Sequence, residues 1–127
     1  VKRLLARDLY VRGAGIRTLS MRSSHFAPMS YHNGSIWPHD TQMIAEGMRN
    51  FGYLEEARTI QNDLLNAYSH FEAPLELFAS SRGKLKPYEG PTGQKACQTQ
   101  AWSAASLLAA LLDSIIDAYE RTNEKAK

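Results

Sequence analysis

The chain has 127 residues, 43% of them hydrophobic and 22% charged, so it is long enough for one domain with a buried core. Its formal net charge is only +2 and its lysines and arginines form no basic block, which argues against nucleic-acid binding. Cys97 is the only cysteine, so neither an intrachain disulfide nor a cysteine-based metal cluster can form, and a reducing, cytoplasmic location is expected.

The sequence indicates no membrane segment. The N-terminal apolar residues give way at once to Arg7 and Asp8, unlike a signal peptide. The most apolar stretch, residues 101–112, contains two serines and is shorter than the roughly 20 residues that cross a bilayer. We therefore expect a soluble protein. Because the chain begins with Val1 inside a helix-like pattern, we expect it to be a piece of a longer protein.

The first half of the chain is predicted to contain three helices. Residues 2–11 have apolar side chains at roughly helical spacing, and glycines follow. Residues 16–25 lack periodicity and are predicted to form an extended loop. A proline at the first helical position and apolar spacing of three and four predict a helix over 38–51. A second helix, over 54–71, must run antiparallel to it because the connection is short.

The second half is predicted to be a long loop over 72–97 followed by a helix over about 99–120. Glu76 stands inside the apolar run of the loop. Between residues 101 and 112 the helix is apolar on every face, which predicts burial on all sides. A small helical assembly rarely surrounds one of its members, so this helix should meet partners outside the chain or belong to a larger array. The polar tail over 121–127 is expected to fray.

Four motifs occur in order along the chain: GIRTLS at 15–20, MSYHNGSIWPHD at 29–40, LEL at 75–77 and CQTQAWS at 97–103. Together they resemble the C-terminal part of amylo-α-1,6-glucosidase, the glucosidase module of glycogen debranching enzymes and their bacterial relatives. The resemblance covers nearly the whole chain and implies an all-α fold, an (α/α)6 toroid whose inner helix ends form the sugar pocket. A complete toroid needs at least roughly 190 residues. The chain, residues 1–127, is therefore predicted to be a partial toroid with four to five helices.

The resemblance implies an inverting α-glucosidase whose general base is Glu76. An inverting glycosidase needs one carboxyl group to protonate the leaving oxygen and another to activate water. A loop carboxylate that forms a structural ion pair is the alternative for Glu76. Leu75 separates Glu76 from Pro74, whereas the family usually has proline directly before this glutamate. The family's acid is an aspartate far upstream, and Asp8 lies too close to match, so the acid is expected to be absent from this chain.

Six residues are predicted to bind the sugar. Aromatic rings stack on sugar faces, and amide and imidazole groups bond hydroxyls. The predicted residues are Tyr31, His32, Asn33, Trp37, Asp40 and Gln100. Simpler structural roles remain open for three of them: Trp37 in the core, Asn33 in a turn and Asp40 at a helix start. Gln98 and Trp102 could also contact sugar, with packing the expected role for Trp102.

No metal or cofactor is expected. His32, His39 and Asp40 match no familiar ligand spacing, so a metal site is disfavoured. The expected partners are an α-glucan or α-glucoside substrate and the remaining helices of the toroid. The alternatives are a non-catalytic carbohydrate-binding or regulatory fragment, a helical oligomerisation domain, and a related toroid hydrolase of other α-glucosides or α-mannosides.

Overall fold

A computed structural model describes residues 1–124. In chain order it contains β1 (Tyr10–Val11), β2 (Gly15–Ile16), α1 (Pro38–Asn50), α2 (Leu54–Tyr68), β3 (Phe78–Ser81), β4 (Lys84–Pro87) and α3 (Ala101–Glu124). The chain is rich in helix, as predicted. Within the described residues there are three helices instead of four or five, and two short antiparallel strand pairs accompany them, so all-α is too simple a description.

Helix α1 follows its sequence signals closely. Pro38 occupies the first turn, where its missing N–H leaves no bond unmade. At the other end, Gly52 has a φ of 82°, and the N–H of Tyr53 donates to the carbonyl of Met48 at 2.9 Å. This Schellman arrangement satisfies the last carbonyls of the helix. The predicted range 38–51 is confirmed to within one residue.

Helix α2 runs antiparallel to α1, and its predicted apolar stripe is buried at Ala57, Ile60, Leu64 and Tyr68. It ends three residues before the predicted end at residue 71. The Ser69 hydroxyl donates to the carbonyl of Asn66 at 2.7 Å, and such local side-chain bonds compete with continuation of a helix. Phe71 instead packs its ring against Phe78, with centroids 5.2 Å apart.

The predicted helix over residues 2–11 is wrong. The segment forms separate turns, closed by bonds such as Leu5 N–H to the Val1 carbonyl and Tyr10 N–H to the Ala6 carbonyl, and then enters β1. The side chain of Asp8 pairs with Arg3 and accepts a bond from the Ser20 hydroxyl. These contacts hold the turn around Asp8 close to Ser20. A continuous helix over residues 2–11 would place Asp8 farther from Ser20.

The two hairpins are linked into one irregular ribbon through Ile36. β1 pairs with β2, Arg17 bridges Ile36, Ile36 bridges Phe78, and β3 pairs with β4. Ile36 exchanges two bonds with Phe78, at 2.8 and 3.0 Å. The ribbon explains why residues 16–25 and 72–97 are not simple loops. The first begins with the last residue of β2 and the bridging residue Arg17, and the second contains a whole hairpin.

The β3–β4 hairpin turns at Arg82 and Gly83, which both have positive φ, 50° and 75°. Two-residue hairpin turns of the primed type require positive φ at both central residues, and glycine adopts it without strain. The hairpin brings Tyr88 back to Leu77, with which it shares a buried cluster. Tyr88 therefore packs against Leu77, the residue that follows Glu76.

Helix α3 buries one stripe within this chain and exposes the rest. The expected burial on all sides requires partners outside the chain and stays a prediction. Ser103, Ser106, Ala110 and Asp117 face the other helices. The large side chains that remain exposed on this helix are Trp102, Leu108, Leu111, Leu112, Ile115, Ile116 and Tyr119. The expectation of partners outside the chain is untested. The tail prediction over 121–127 lies partly outside the described residues; α3 itself continues to Glu124.

By length and composition α3 could cross a membrane: it has 24 residues, and its most apolar window has a mean hydropathy of 1.4. The apolar segment is therefore longer than residues 101–112 suggested. The core helices of soluble proteins meet the same criterion. Its docked face is polar, since Asp117 pairs with both Arg49 and Arg58. These ion pairs fix α3 against α1 and α2.

Candidate functional site

Glu76 lies where two extended segments meet. Its N–H donates to the carbonyl of Cys97 at 3.0 Å, and its Oε2 accepts a bond from the N–H of Cys97 at 3.1 Å. Nearby, the N–H of Gln100 donates to the carbonyl of Pro74 at 3.0 Å. From α2, Tyr68 donates its hydroxyl to the Leu75 carbonyl at 3.0 Å. The backbone of Cys97 therefore fixes both the main chain and the carboxylate of Glu76, and the bonds to Pro74 and Leu75 fix the residues before it.

Tyr31 completes the environment of the carboxylate. Its hydroxyl donates a hydrogen bond to Oε1 of Glu76. This bond, with burial as a second cause, raises the pKa of Tyr31 to about 12, so the phenol remains a proton donor at neutral pH. Each oxygen of the Glu76 carboxylate therefore has one fixed donor and one lone pair left over. Such a carboxylate can accept a proton from a correctly placed water.

Trp37 forms the inner wall behind Tyr31. Its indole is only 8% exposed, and its Nε1 donates to the Tyr31 carbonyl at 3.0 Å. The ring of Tyr31 meets Trp37 edge-on at 4.8 Å between centroids and meets Tyr88 at 5.4 Å. Trp37 is thus a core residue that supports the site, the simpler of its two predicted roles. Whether any sugar touches it stays a prediction.

His32 and Asn33 are the exposed members of the loop. The His32 ring lies parallel to Trp37, with centroids 6.1 Å apart, and edge-on to Tyr31 at 4.8 Å. The carbonyl of Asn33 accepts the N–H of Ala27 at 2.8 Å, so its backbone closes a turn, as the alternative proposed. Both side chains are open to solvent, and that of His32 lies against Tyr31. Their sugar-binding role stays a prediction.

The structure separates Asp40 from this group. Asp40 lies in the first turn of α1 and lines an open cavity of about 500 Å³ with Leu4, Met43 and Ile44. Gln100 lies at the start of α3, where its Oε1 accepts the N–H of Ala101 at 3.2 Å. Both positions suit helix starts. Direct contact of either residue with sugar remains only predicted.

Sequence reasoning did not name Tyr88, and it considered His39 only as a possible metal ligand. Tyr88 is buried against Tyr31, and the hairpin turn that brings it there carried a signal in Arg82-Gly83. His39 stacks on Trp102 with centroids 5.0 Å apart and an interplanar angle of 12°. Trp102 is 44% exposed, so packing, its expected role, accounts for only part of its surface.

The Glu76 side chain is half-buried, and none of the cavities described next is lined by it. A cavity of about 710 Å³ is lined by residues such as Tyr10, Arg12 and Glu55, and by none of the Glu76 group. An open cavity of about 580 Å³ adjoins Tyr88 and Gln98. Within residues 1–124, no three His, Cys, Asp or Glu side chains are grouped to hold a metal ion.

Arg17 ties the Tyr31 loop to the β3 strand. Its guanidinium donates to the carbonyls of Gly34 at 3.0 Å and Ser80 at 3.1 Å, and it lies 5.3 Å from the Phe26 ring. The side chain is 8% exposed, and burial lowers the pKa of Arg17. Such a buried cation is retained where its hydrogen bonds hold elements together.

We expect Arg17→Met to destabilise the protein by about 2 kcal/mol, because two buried carbonyls lose their donors. Activity should fall further than stability explains, since the loop that presents Tyr31 loses its anchor. Denaturant unfolding and turnover measured on the folded fraction check this. Arg22→Met, at an exposed position, is the control. Unchanged stability would contradict the structural role of Arg17.

We expect Tyr31→Phe to lower kcat roughly 10-fold, because a hydrogen bond to a charged group contributes about 1.5 kcal/mol or more. The ring contacts with Trp37 and Tyr88 are retained, so the free energy of unfolding should fall by no more than this bond contributes, about 1.5 kcal/mol. Steady-state kinetics with thermal unfolding as the control separate the two effects. Full activity in the variant would show that the phenol does not support the carboxylate.

A comparison with family models matches residues 1–111 to the Mannosylglycerate hydrolase MGH1-like glycoside hydrolase domain. The match covers most of the chain and includes both the Tyr31 loop and Glu76. A search of curated proteins finds no significant match.

Proposed function

Because the chain belongs to the family of MGH1-like glycoside hydrolase domains, we propose that it forms the base-carrying part of an inverting α-glycosidase. Glu76 is the general base that removes a proton from the attacking water. The observation that carries the proposal is the Glu76 carboxylate, fixed by Tyr31 and Cys97 at the edge of an aromatic cluster. We place the protein among the α-glucosidases of the debranching type, which its motifs resemble.

The surroundings of Glu76 suit a sugar. Aromatic faces attract the C–H faces of pyranose rings, and exposed imidazole and amide groups bond hydroxyls. His32 offers its imidazole beside Tyr31, which bonds to the carboxylate, and Asn33 offers an exposed amide from the same loop. The Tyr31 phenol keeps Glu76 in one orientation, which lowers the cost of organising the transition state.

The general acid comes from outside this chain. Asp8, the only aspartate upstream of the Tyr31 loop, is bonded by Arg3 and Ser20, which hold its pKa far below the ordinary value. Such a carboxyl is ionised at neutral pH and cannot donate a proton. We propose that the remaining helices of a toroid supply the acid and cover the exposed face of α3 between Leu108 and Tyr119.

A second candidate is an α-mannosidase, and the description of the matched family favours it because it names mannosylglycerate hydrolase. Glucose and mannose differ at one hydroxyl. Side chains that line the sugar pocket would distinguish the two sugars at that hydroxyl. This chain contributes only some of those side chains.

Glycosyl fluorides separate the two candidates. Fluoride leaves without protonation, so the assay depends on the base even where the acid is impaired. Fluoride release from α-glucosyl and α-mannosyl fluoride is measured for the native protein that contains this chain. Preference for the glucosyl compound supports the debranching type, and preference for the mannosyl compound supports the alternative. Sugar binding without turnover of either compound would support a non-catalytic carbohydrate-binding protein.

A further inference from the structure

Trp102 presents one face of its indole outward in a fixed orientation. It lies in the first turn of α3, and its backbone carbonyl accepts the Ser106 hydroxyl at 2.7 Å. His39 of α1 stacks on the ring, 5.0 Å away between centroids and nearly parallel. The side chain is nevertheless 44% exposed. A rigid, half-covered indole is an effective platform for a flat apolar surface.

A few hydrogen bonds and ring contacts connect Trp102 to Glu76. Two residues before Trp102, Gln100 bonds to Pro74, which lies two residues before Glu76. Trp102 also meets Trp37 with centroids 6.2 Å apart, and Trp37 contacts Tyr31, which bonds to Glu76. Trp102 therefore keeps its position relative to Glu76.

We propose that Trp102 and His39 form a subsite for a second sugar ring, next to the ring whose bond is cleaved. The apolar face of that ring stacks on the indole, and the imidazole of His39 bonds one of its hydroxyls. The preferred substrates are then oligosaccharides, which have a second ring to stack on the indole. The inference rests on the proposed function and narrows its substrate class.

The test compares a substrate with and without a second ring. For Trp102→Ala in the native protein, kcat/KM for an isomaltose-type oligosaccharide should fall at least 10-fold, mainly through KM. Hydrolysis of α-glucosyl fluoride, which has no second ring, should change less than 2-fold. Trp102→Phe should recover part of the loss. Tyr53→Ala, at an aromatic of similar exposure (46%) outside α3, is the matched control.

Equal losses on both substrates would overturn the subsite, because Trp102 would then act through packing. An unchanged kcat/KM for the oligosaccharide would overturn it as well. Should the native protein hydrolyse neither compound, the proposed function fails, and calorimetric titration with the oligosaccharide then decides the subsite. Binding that weakens at least 10-fold in Trp102→Ala supports it, and equal or absent binding overturns it.

Discussion

Glu76→Gln should reduce the kcat of α-glycosyl fluoride hydrolysis by about 10²- to 10⁴-fold, the usual contribution of a general base. The amide has the size of the carboxylate and can still bond to Tyr31 and Cys97, but it cannot take a proton from water. KM should change little because the pocket keeps its shape. Glu72→Gln, an exposed glutamate four residues earlier, is the control and should retain native kcat.

A Glu76→Gln variant with more than a tenth of native kcat would contradict the role of Glu76 as base. The carboxylate would then be structural, the alternative that the sequence leaves open. Unfolding of both variants by denaturant shows whether any loss is catalytic. A loss of activity that tracks a loss of folded protein would support the structural role.

Asp117→Asn should lower the free energy of unfolding by about 3 kcal/mol, because breaking a buried ion pair leaves uncompensated charge. Asp117 is 2% exposed and pairs with Arg49 and Arg58, whose side chains are 17% and 16% exposed. Asp113→Asn is the control. Its carboxylate is more exposed and accepts a bond from Gln61 at 2.6 Å, so its loss should matter less. Urea unfolding measures both.

The same ion pairs predict a pH dependence. Burial alone would raise the pKa of Asp117, but hydrogen bonds and charges from Arg49 and Arg58 outweigh it and lower the pKa below its ordinary value. A lowered folded-state pKa gives stability that is present above the unfolded value, about 3.9, and lost as pH falls through the folded value. Native protein should therefore lose stability below about pH 4, and Asp117→Asn should lose less. Parallel pH profiles would contradict the pairing.

The helices were predictable because their signals are local. Pro38 and Gly52 mark the two ends of α1, and apolar spacing marks the buried stripe of α2. The turns over residues 2–11 were not predictable from spacing, because bonds from Asp8 to Arg3 and Ser20 decide them. The faces of α3 that are buried also could not be predicted, because the spacing of apolar residues does not show which helices pack against them.

The candidate site was predictable in part. Resemblance pointed to Tyr31 and Glu76, and the structure joins them although 45 residues separate them. They meet because Ile36 pairs with Phe78, a non-local contact with no signal in the sequence. Asp40 belongs to the same motif but lies on a different surface, since α1 begins between it and Tyr31.

The anomeric form of the first product tests the central claim most directly. Proton NMR recorded during hydrolysis of the preferred α-glycosyl fluoride distinguishes α- from β-sugar before the two interconvert. A base that activates water on the face opposite the leaving group produces the β-anomer first. The α-anomer first would mean retention through a covalent intermediate and would contradict Glu76 as the base of an inverting glycosidase.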